Sequence, residues 1–237
     1  MIGGVIEIHP VEGIPEVAPG AELAKLIVDG VAASNLSLQD GDVVVVTHKI
    51  VSKAEGRVAK VAPGDEDAKR QIVMGEAARV VRQRGGLLIA ETKHGFVCAN
   101  AGVDSSNVEE GTVTLLPVDP DRSARGLRKQ MKRLTGATVA VVITDTWGRA
   151  WRVGQTNFAI GVAGMLALND HRGKADHFGR IMNVTSIAIA DEIASAAELV
   201  MGKAERIPVA LIRDLQYPEG KGRARSLVRD PQSDLFR

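Results

Sequence analysis

Residues 139–149 have the sequence VAVVITDTWGR, and this stretch says most about the fold of the 237-residue chain. Residues 139–143 are apolar and mostly β-branched, which is typical of a strand buried on both faces. Asp145 and Thr146 follow at once, so a carboxylate and a hydroxyl are expected at the strand's carboxyl end. Ligands of open α/β sheets bind at such ends. The segment therefore predicts both a central strand and the position of a functional site.

Further strands and helices are predicted on both sides of this segment. Apolar or alternating runs predict strands at residues 5–8, 43–46, 87–89, 96–99, 113–116, 184–188 and 209–212. Helical spacing predicts helices at residues 22–33, 65–84, 121–134 and 189–200, with a short one at 223–228. Gly85 and Gly86 are expected to end the second helix. Because strict βαβ alternation is lacking, the pattern favours an α+β, or mixed α/β, fold.

Composition excludes several classes of protein. Thirty Lys and Arg against 29 Asp and Glu give a net charge of +1, which argues against a dedicated nucleic-acid binder. The single cysteine, Cys98, excludes an internal disulfide and a thiolate metal cage, and its apolar surroundings predict a buried small side chain. No apolar run reaches the ~18 residues of a membrane span, and no leader is evident. We therefore expect a cytoplasmic protein without a membrane partner.

Two polar clusters allow a functional and a purely structural interpretation. His48 and Lys53 follow a predicted buried strand and could meet phosphate oxygens, although an exposed basic loop explains them slightly better. Asp104 and Asn107 lie in a polar turn with little nearby to neutralise the carboxylate. Asp104 could hold a magnesium ion or cap its own backbone in an Asx-turn, and the sequence favours neither.

The third cluster, Asp145 with Thr146, favours a functional role. Magnesium sites in nucleotide enzymes use one or two carboxylates together with substrate phosphates. Arg149 and Arg152 follow closely and could meet the remaining phosphate charge. These residues predict metal-assisted phosphate chemistry. No standard phosphate-binding loop is present, so the site would have to be assembled from several loops.

Five segments together resemble the coenzyme F-420 gamma-glutamyl ligase family. They are residues 13–16 (GIPE), 45–57 (VVTHKIVSKAEGR), 94–107 (HGFVCANAGVDSSN), 143–152 (ITDTWGRAWR) and 190–194 (ADEIA). The matches run in order along the whole chain. The resemblance implies an α+β fold with two intimately packed subdomains, an intertwined homodimer, and one catalytic unit over residues 1–237.

The resemblance also implies an activity. Such an enzyme uses GTP to join L-glutamate, through a gamma-linkage, to the coenzyme F-420 precursor. A phosphoryl group would pass from GTP to the precursor's terminal carboxylate, and the glutamate amine would then displace phosphate from the acyl phosphate. One or two Mg²⁺ or Mn²⁺ ions are implied as cofactors, and a need for K⁺ is left open.

Site residues are implied by the same resemblance. Asp104 and Asp145 would hold one divalent cation, Thr146 would help to hold a second, and Lys53 would complete the catalytic set. The implied GTP contacts are Ile14, Pro15, Glu16, Val17, His48, Lys53, Asn107, Met201, Gly202, Lys203, Ala204, Glu205 and Arg206. Archaeal members can carry a glutamate for the second metal where this chain has Lys203. We expect the ammonium to replace that metal by meeting a phosphate oxygen.

Two alternative functions stay open, and so does the question whether the chain is a stand-alone protein or one domain of a fusion. The chain could be a related acid–amine ligase with another nucleotide or amino acid, or a non-catalytic deazaflavin-binding module. Residues 234–237 (DLFR) resemble the junction at which fused bacterial relatives continue into a nitroreductase-like domain. The chain is thus expected to be a stand-alone ligase or the N-terminal ligase domain of such a fusion.

Overall fold

The structure, a computed structural model, describes residues 4–235, so the last two residues of the predicted junction segment 234–237 lie outside it. Its helices are Leu23–Ala33 (α1), His48–Ala54 (α2), Glu66–Glu76 (α3), Pro120–Thr135 (α4) and Ile189–Met201 (α5). Its strands are Glu7–Val11 (β1), Val43–Thr47 (β2), Val58–Lys60 (β3), Ala77–Arg84 (β4), Leu87–Thr92 (β5), Val97–Ala99 (β6), Thr112–Thr114 (β7), Ala140–Arg149 (β8), Arg152–Ala163 (β9), Asn169–Asp170 (β10), Ser186–Ile187 (β11) and Val209–Arg213 (β12). Short 3₁₀ helices lie at Asn100–Gly102 and Ala224–Leu227.

A five-stranded sheet in the order β1-β12-β2-β8-β9 forms the centre of the fold. Strands β2 and β8 are parallel, with Thr47 opposite Thr144, and the other neighbours are antiparallel. The apolar side chains of β2 and of residues 140–143 are buried, as the sequence predicts. Because β2 and β8 run in the same direction, their carboxyl ends meet at one edge of the sheet. Asp145 and the start of α2 therefore lie at the same edge.

Strand β8 continues beyond its apolar part and carries Asp145 and Thr146 in a hairpin with β9, between two shifts of register at residues 143/144 and 148/149. It pairs with β9 up to Arg149, with Asp145 opposite Phe158 and Thr146 opposite Asn157. Trp147 stacks on Phe158 with ring centroids 4.7 Å apart, an aromatic contact across the two strands. The polar residues after the apolar run are thus held by a strand, and their side chains have fixed directions.

The predicted helix at residues 65–84 is wrong in its second half. Helix α3 ends at Glu76, and β4 follows and pairs antiparallel with β5. Gly85 and Gly86 form the two-residue loop of this hairpin, and Gly85 has a φ of +57°. Two-residue hairpin loops require such positive φ angles, which glycine adopts without strain. The glycine pair therefore marks a hairpin turn here and not a helix end.

Two hydrophobic clusters stabilise the described part of the chain. The larger contains the central sheet with side chains of α1, α4 and α5. The smaller contains Val73, Leu88, Ala90, Ala101, Val103, Val113 and Leu115. This arrangement confirms the mixed α/β class. Within residues 4–235, no helix combines the length and apolar character that crossing a membrane requires.

Candidate functional site

A cleft of about 1140 Å³ opens at the carboxyl ends of β2 and β8. Its volume exceeds the range of about 300–1,000 Å³ usual for a single small-molecule site. The predicted site residues that line it are Ile14, Pro15, Glu16, Val17, Lys53, Asp104, Asn107, Asp145, Thr146, Met201, Gly202, Lys203, Ala204 and Arg206. The fold thus brings together almost all of the predicted residues, from five distant parts of the sequence.

His48 lies behind the cleft surface. Its side chain is 1% exposed and its Nδ1 is 3.3 Å from Ser52 Oγ. Its Nε2 is 3.2 Å from Asp145 Oδ1, which is within ion-pair distance but lacks hydrogen-bond geometry. This nitrogen therefore has no hydrogen-bond partner among the described residues. The buried side chain does not line the cleft, and the predicted contact of His48 with GTP stays a prediction. The imidazole faces the carboxylate of Asp145.

Glu205 also lies off the cleft wall. Its carboxylate accepts a hydrogen bond from the Ala204 backbone N–H at 2.8 Å. This bond, with further backbone N–H groups of the same loop, holds the pKa of the Glu205 carboxyl below its ordinary value. Glu205 therefore orders the loop that presents its neighbours to the cleft.

A backbone hydrogen bond holds the Asp145 carboxylate, and its neighbour Thr146 belongs to a network of side chains. Asp145 Oδ1 accepts a hydrogen bond from the Thr146 backbone N–H at 2.7 Å, and the Asp145 side chain is 13% exposed. Thr146 Oγ1 donates to Asn157 Oδ1, and Asn157 Nδ2 donates to Glu198 Oε2 at 2.9 Å. Sequence inspection missed Asn157 and Glu198. Only the register of the β8–β9 hairpin, which sets Asn157 opposite Thr146, could have identified the first.

Lys203 extends this network across the cleft wall. Its Nζ donates to Thr146 Oγ1 at 2.6 Å and lies 2.9 Å from Glu198 Oε1. The Asn107 side-chain amide donates to the Lys203 carbonyl oxygen at 3.4 Å. These contacts join segments that are 57 and 96 residues apart in the sequence.

Asp104 has a cationic partner that the sequence did not reveal. Lys49 Nζ lies 2.7 Å from Asp104 Oδ2, which corrects the expectation that little is nearby to neutralise the carboxylate. Ser106 donates its backbone N–H to Oδ1 at 2.8 Å, so the Asx-turn is confirmed. Burial raises the pKa of the Asp104 carboxyl, but the bonds from Lys49 and Ser106 outweigh it, and the net shift is downward. Asp104 is therefore held as a carboxylate.

Lys53 connects two segments at the rim of the cleft. Its Nζ donates to Glu16 Oε1 at 2.5 Å and to the Asn107 carbonyl oxygen at 3.1 Å. The Lys53 side chain is only 13% exposed. A little-exposed ammonium at this position is suited to anionic oxygens, for which Lys supplies a compact charge.

Cys98 lines the cleft next to Asp145 and is 3% exposed. Burial, followed by the charge of Asp145, raises the pKa of the Cys98 thiol to about 12. The prediction of a buried small side chain is confirmed.

The residues of the cleft fit one divalent cation. Asp104 and Asp145 offer carboxylate oxygens, the ligands that Mg²⁺ and Mn²⁺ prefer, and the buried Nε2 of His48 lies 3.2 Å from Oδ1 of the second carboxylate. Among residues 4–235, no group of three or more His, Cys, Asp or Glu side chains could hold a metal alone. Substrate oxygens and water would have to complete the shell. Lys49 would have to share or leave Asp104.

The family described as F420-0:Gamma-glutamyl ligase has a sequence profile that matches residues 13–214, the span that contains the whole cleft. The chain belongs to this family. The predicted resemblance is thereby confirmed.

Three relatives of this chain carry the name coenzyme F420:L-glutamate ligase. The protein of Methanocaldococcus jannaschii is 45% identical over 84% of this chain and 86% of its own. That of Methanothermobacter thermautotrophicus is 39% identical over 98% of this chain and 99% of its own. That of Methanopyrus kandleri is 41% identical, and the alignment covers 100% of both chains. As a family member, the chain thus matches these relatives over nearly their entire length.

Proposed function

We propose that this protein is a GTP-dependent ligase that adds L-glutamate, through a gamma-linkage, to the coenzyme F420 precursor. Relatives named coenzyme F420:L-glutamate ligase match the chain over almost their full length. The observation that carries the proposal is the common cleft of Asp104, Asp145 and Lys53 at the edge of the central sheet. Its volume of about 1140 Å³ suits a nucleotide together with an acceptor.

The proposed reaction has two steps. A carboxylate oxygen of the precursor forms a bond to the γ-phosphorus of GTP, and the bond from that phosphorus to the bridging oxygen of GDP breaks. The glutamate amine then attacks the acyl carbon, the amide bond forms, phosphate leaves, and the surplus proton of the nitrogen is released. Both steps need positioning and charge neutralisation more than covalent help from the protein.

The roles follow from the contacts in the cleft. Asp104 and Asp145 would hold Mg²⁺ or Mn²⁺, which when bound neutralises phosphate charge. Lys53 would meet the phosphates of GTP, with Glu16 and the Asn107 carbonyl keeping its ammonium in place. His48 would keep Asp145 oriented from behind the cleft. Residues 14–17 and 201–206 would border the nucleotide, with the Glu205 carboxylate supporting the second of these segments.

We further propose that the two subdomains of the chain pack intimately and that two chains form an intertwined homodimer. An extended arm at residues 169–187 supports this, since its two halves are joined by hydrogen bonds such as that from the Met182 N–H to the Lys174 carbonyl. Phe178 is 83% and Val184 is 88% exposed on this arm. A segment that exposes several large apolar side chains is suited to be a contact surface. Light scattering of the purified protein measures the proposed mass of two chains.

A mass measurement tests the function. The protein is incubated with the precursor, L-glutamate and Mg²⁺, and with either GTP or ATP. We expect a product heavier by one or more glutamyl residues with GTP, and little or none with ATP. Product with ATP alone supports the related ligase with another nucleotide. Binding of the precursor without product under any condition supports the non-catalytic deazaflavin-binding module.

A further inference from the structure

The ammonium of Lys203 contacts side-chain oxygen atoms in the wall of the cleft. Its Nζ lies 2.6 Å from Thr146 Oγ1 and 2.9 Å from Glu198 Oε1. Asn157 joins the same group because it bonds to both Thr146 and Glu198. A hydroxyl, an amide oxygen and a carboxylate grouped in this way are ligands for a hard cation. In this chain a tethered cation already fills the place.

We propose that Lys203 is a built-in cation that takes the place of a second divalent ion. The ligase would then work with one exchangeable divalent cation, at Asp104 and Asp145. This inference rests on the proposed function only in assigning the first cation to those two aspartates. It goes beyond that function by specifying how many ions the site exchanges.

The backbone around Lys203 is fixed, and therefore the place of the ammonium is defined. Gly202 has a φ of +60° and a ψ of −167°, a backbone conformation essentially restricted to glycine. The Glu205 carboxylate caps the Ala204 N–H at 2.8 Å. On the other side, Asn107 donates to the Lys203 carbonyl oxygen at 3.4 Å. Only a glycine at position 202 permits this turn directly after α5, and the turn directs Lys203 into the cleft.

A divalent ion and this ammonium exclude one another. A charged lysine has three donors and no lone pair, so Lys203 cannot act as a ligand. A second metal ion would need Thr146 Oγ1 and the Glu198 carboxylate, which the ammonium now contacts. The two positive charges would also repel each other at close range. Although the Lys203 side chain is 59% exposed, its charged nitrogen is engaged by two oxygen atoms.

The ammonium also has a donor to offer to a substrate. Thr146 Oγ1 accepts one of its three N–H groups and Glu198 Oε1 lies at ion-pair distance, so the ammonium has one N–H more than these two contacts use. Lys203 lines the same cleft as Lys53 and Asp145. The third N–H is therefore suited to an anionic oxygen of the bound substrates, the service that a metal ion would otherwise give. The charge is present at any metal concentration.

Counting bound Mn²⁺ tests the proposal without depending on turnover. Electron paramagnetic resonance of free Mn²⁺ gives the number of ions bound per chain, with GDP present in all samples. The parent is compared with Lys203→Met, which keeps the length of the side chain and removes the charge, and with Lys203→Gln as a second neutral variant. Lys203→Arg keeps the charge. Lys25→Met serves as control, because Lys25 pairs with Asp29 on the exposed face of α1 and does not line the cleft.

We expect each neutral variant to bind one more Mn²⁺ than the parent. Lys203→Arg and Lys25→Met should match the parent, and Glu198→Gln combined with Lys203→Met should abolish the additional site. Equal counts for the parent and both neutral variants would overturn the proposal, and so would two ions on the parent. A parent that binds none, with neutral variants that bind one, would support the built-in cation and reject the metal role of Asp104 and Asp145.

Discussion

Replacement of His48 tests whether a buried side chain orients the Asp145 carboxylate. The imidazole is 1% exposed, with Nε2 3.2 Å from Asp145 Oδ1 and Nδ1 3.3 Å from Ser52 Oγ. His48→Ala removes the group behind the carboxylate but leaves every cleft-lining side chain in place. We expect Mn²⁺ binding to weaken by about 10- to 100-fold, the range typical when a partner that orients a metal ligand is removed. This corresponds to about 1.4–2.7 kcal/mol.

The same substitution also affects stability, and the two effects can be separated. Truncation of a large buried side chain to alanine costs about 2–5 kcal/mol. For a chain of this size, about 1 kcal/mol lowers Tm by about 2–4 °C, so His48→Ala should melt roughly 4–20 °C below the parent. His48→Gln fills most of the space and places an amide nitrogen near the position of Nε2. It should lose less stability and recover most of the Mn²⁺ affinity.

Calorimetric titration with Mn²⁺ well below the Tm of all three proteins measures the affinities while every chain is folded. Circular dichroism melts measure the stability separately. A parental Mn²⁺ affinity in His48→Ala would refute the positioning role. So would a His48→Gln variant that regains Tm but binds Mn²⁺ no better than the alanine variant, because packing alone would then explain the residue.

Three further predictions concern single side chains of the cleft. Asp145→Asn keeps the shape and removes the charge, so ligation should fall by at least about 100-fold with little change in Tm; near-parental turnover would remove Asp145 from the site. Lys53→Ala should weaken GTP binding by about 10- to 100-fold and slow turnover, whereas Lys25→Ala should do neither; unchanged calorimetry would assign Lys53 to a solvated surface. The pKa of Cys98, raised to about 12, keeps its thiol uncharged at pH 8, so iodoacetamide should label the native protein far more slowly than the unfolded chain. Rapid labelling of the native protein at pH 8 would contradict the burial of the thiol.

The elements with strong local patterns were predictable from the sequence. The apolar run at residues 139–143 lies in β8, and the helical spacings at residues 121–134 and 189–200 correspond to α4 and α5. In these segments burial on the core and the local pattern favour the same structure. The helix prediction was wrong for residues 77–84 because the pattern of apolar and polar residues there does not separate a helix from a strand. Pairing with β5 decides the matter, and that partner follows only after the turn at Gly85 and Gly86.

Before any family motif is considered, the sequence favoured a functional role for Asp145 and Thr146, which directly follow a buried strand, but not for Lys53 or Asp104. The family motifs added which of them belong together. What each side chain contacts was decided only by the tertiary structure. The buried His48 side chain faces Asp145 from behind the cleft surface. Lys49 pairs with Asp104, which lies 55 residues further along the sequence. Charge pairs and orphaned buried atoms depend on distances in space, and the separation of two residues along a chain does not determine those distances until the sheet and its loops have folded.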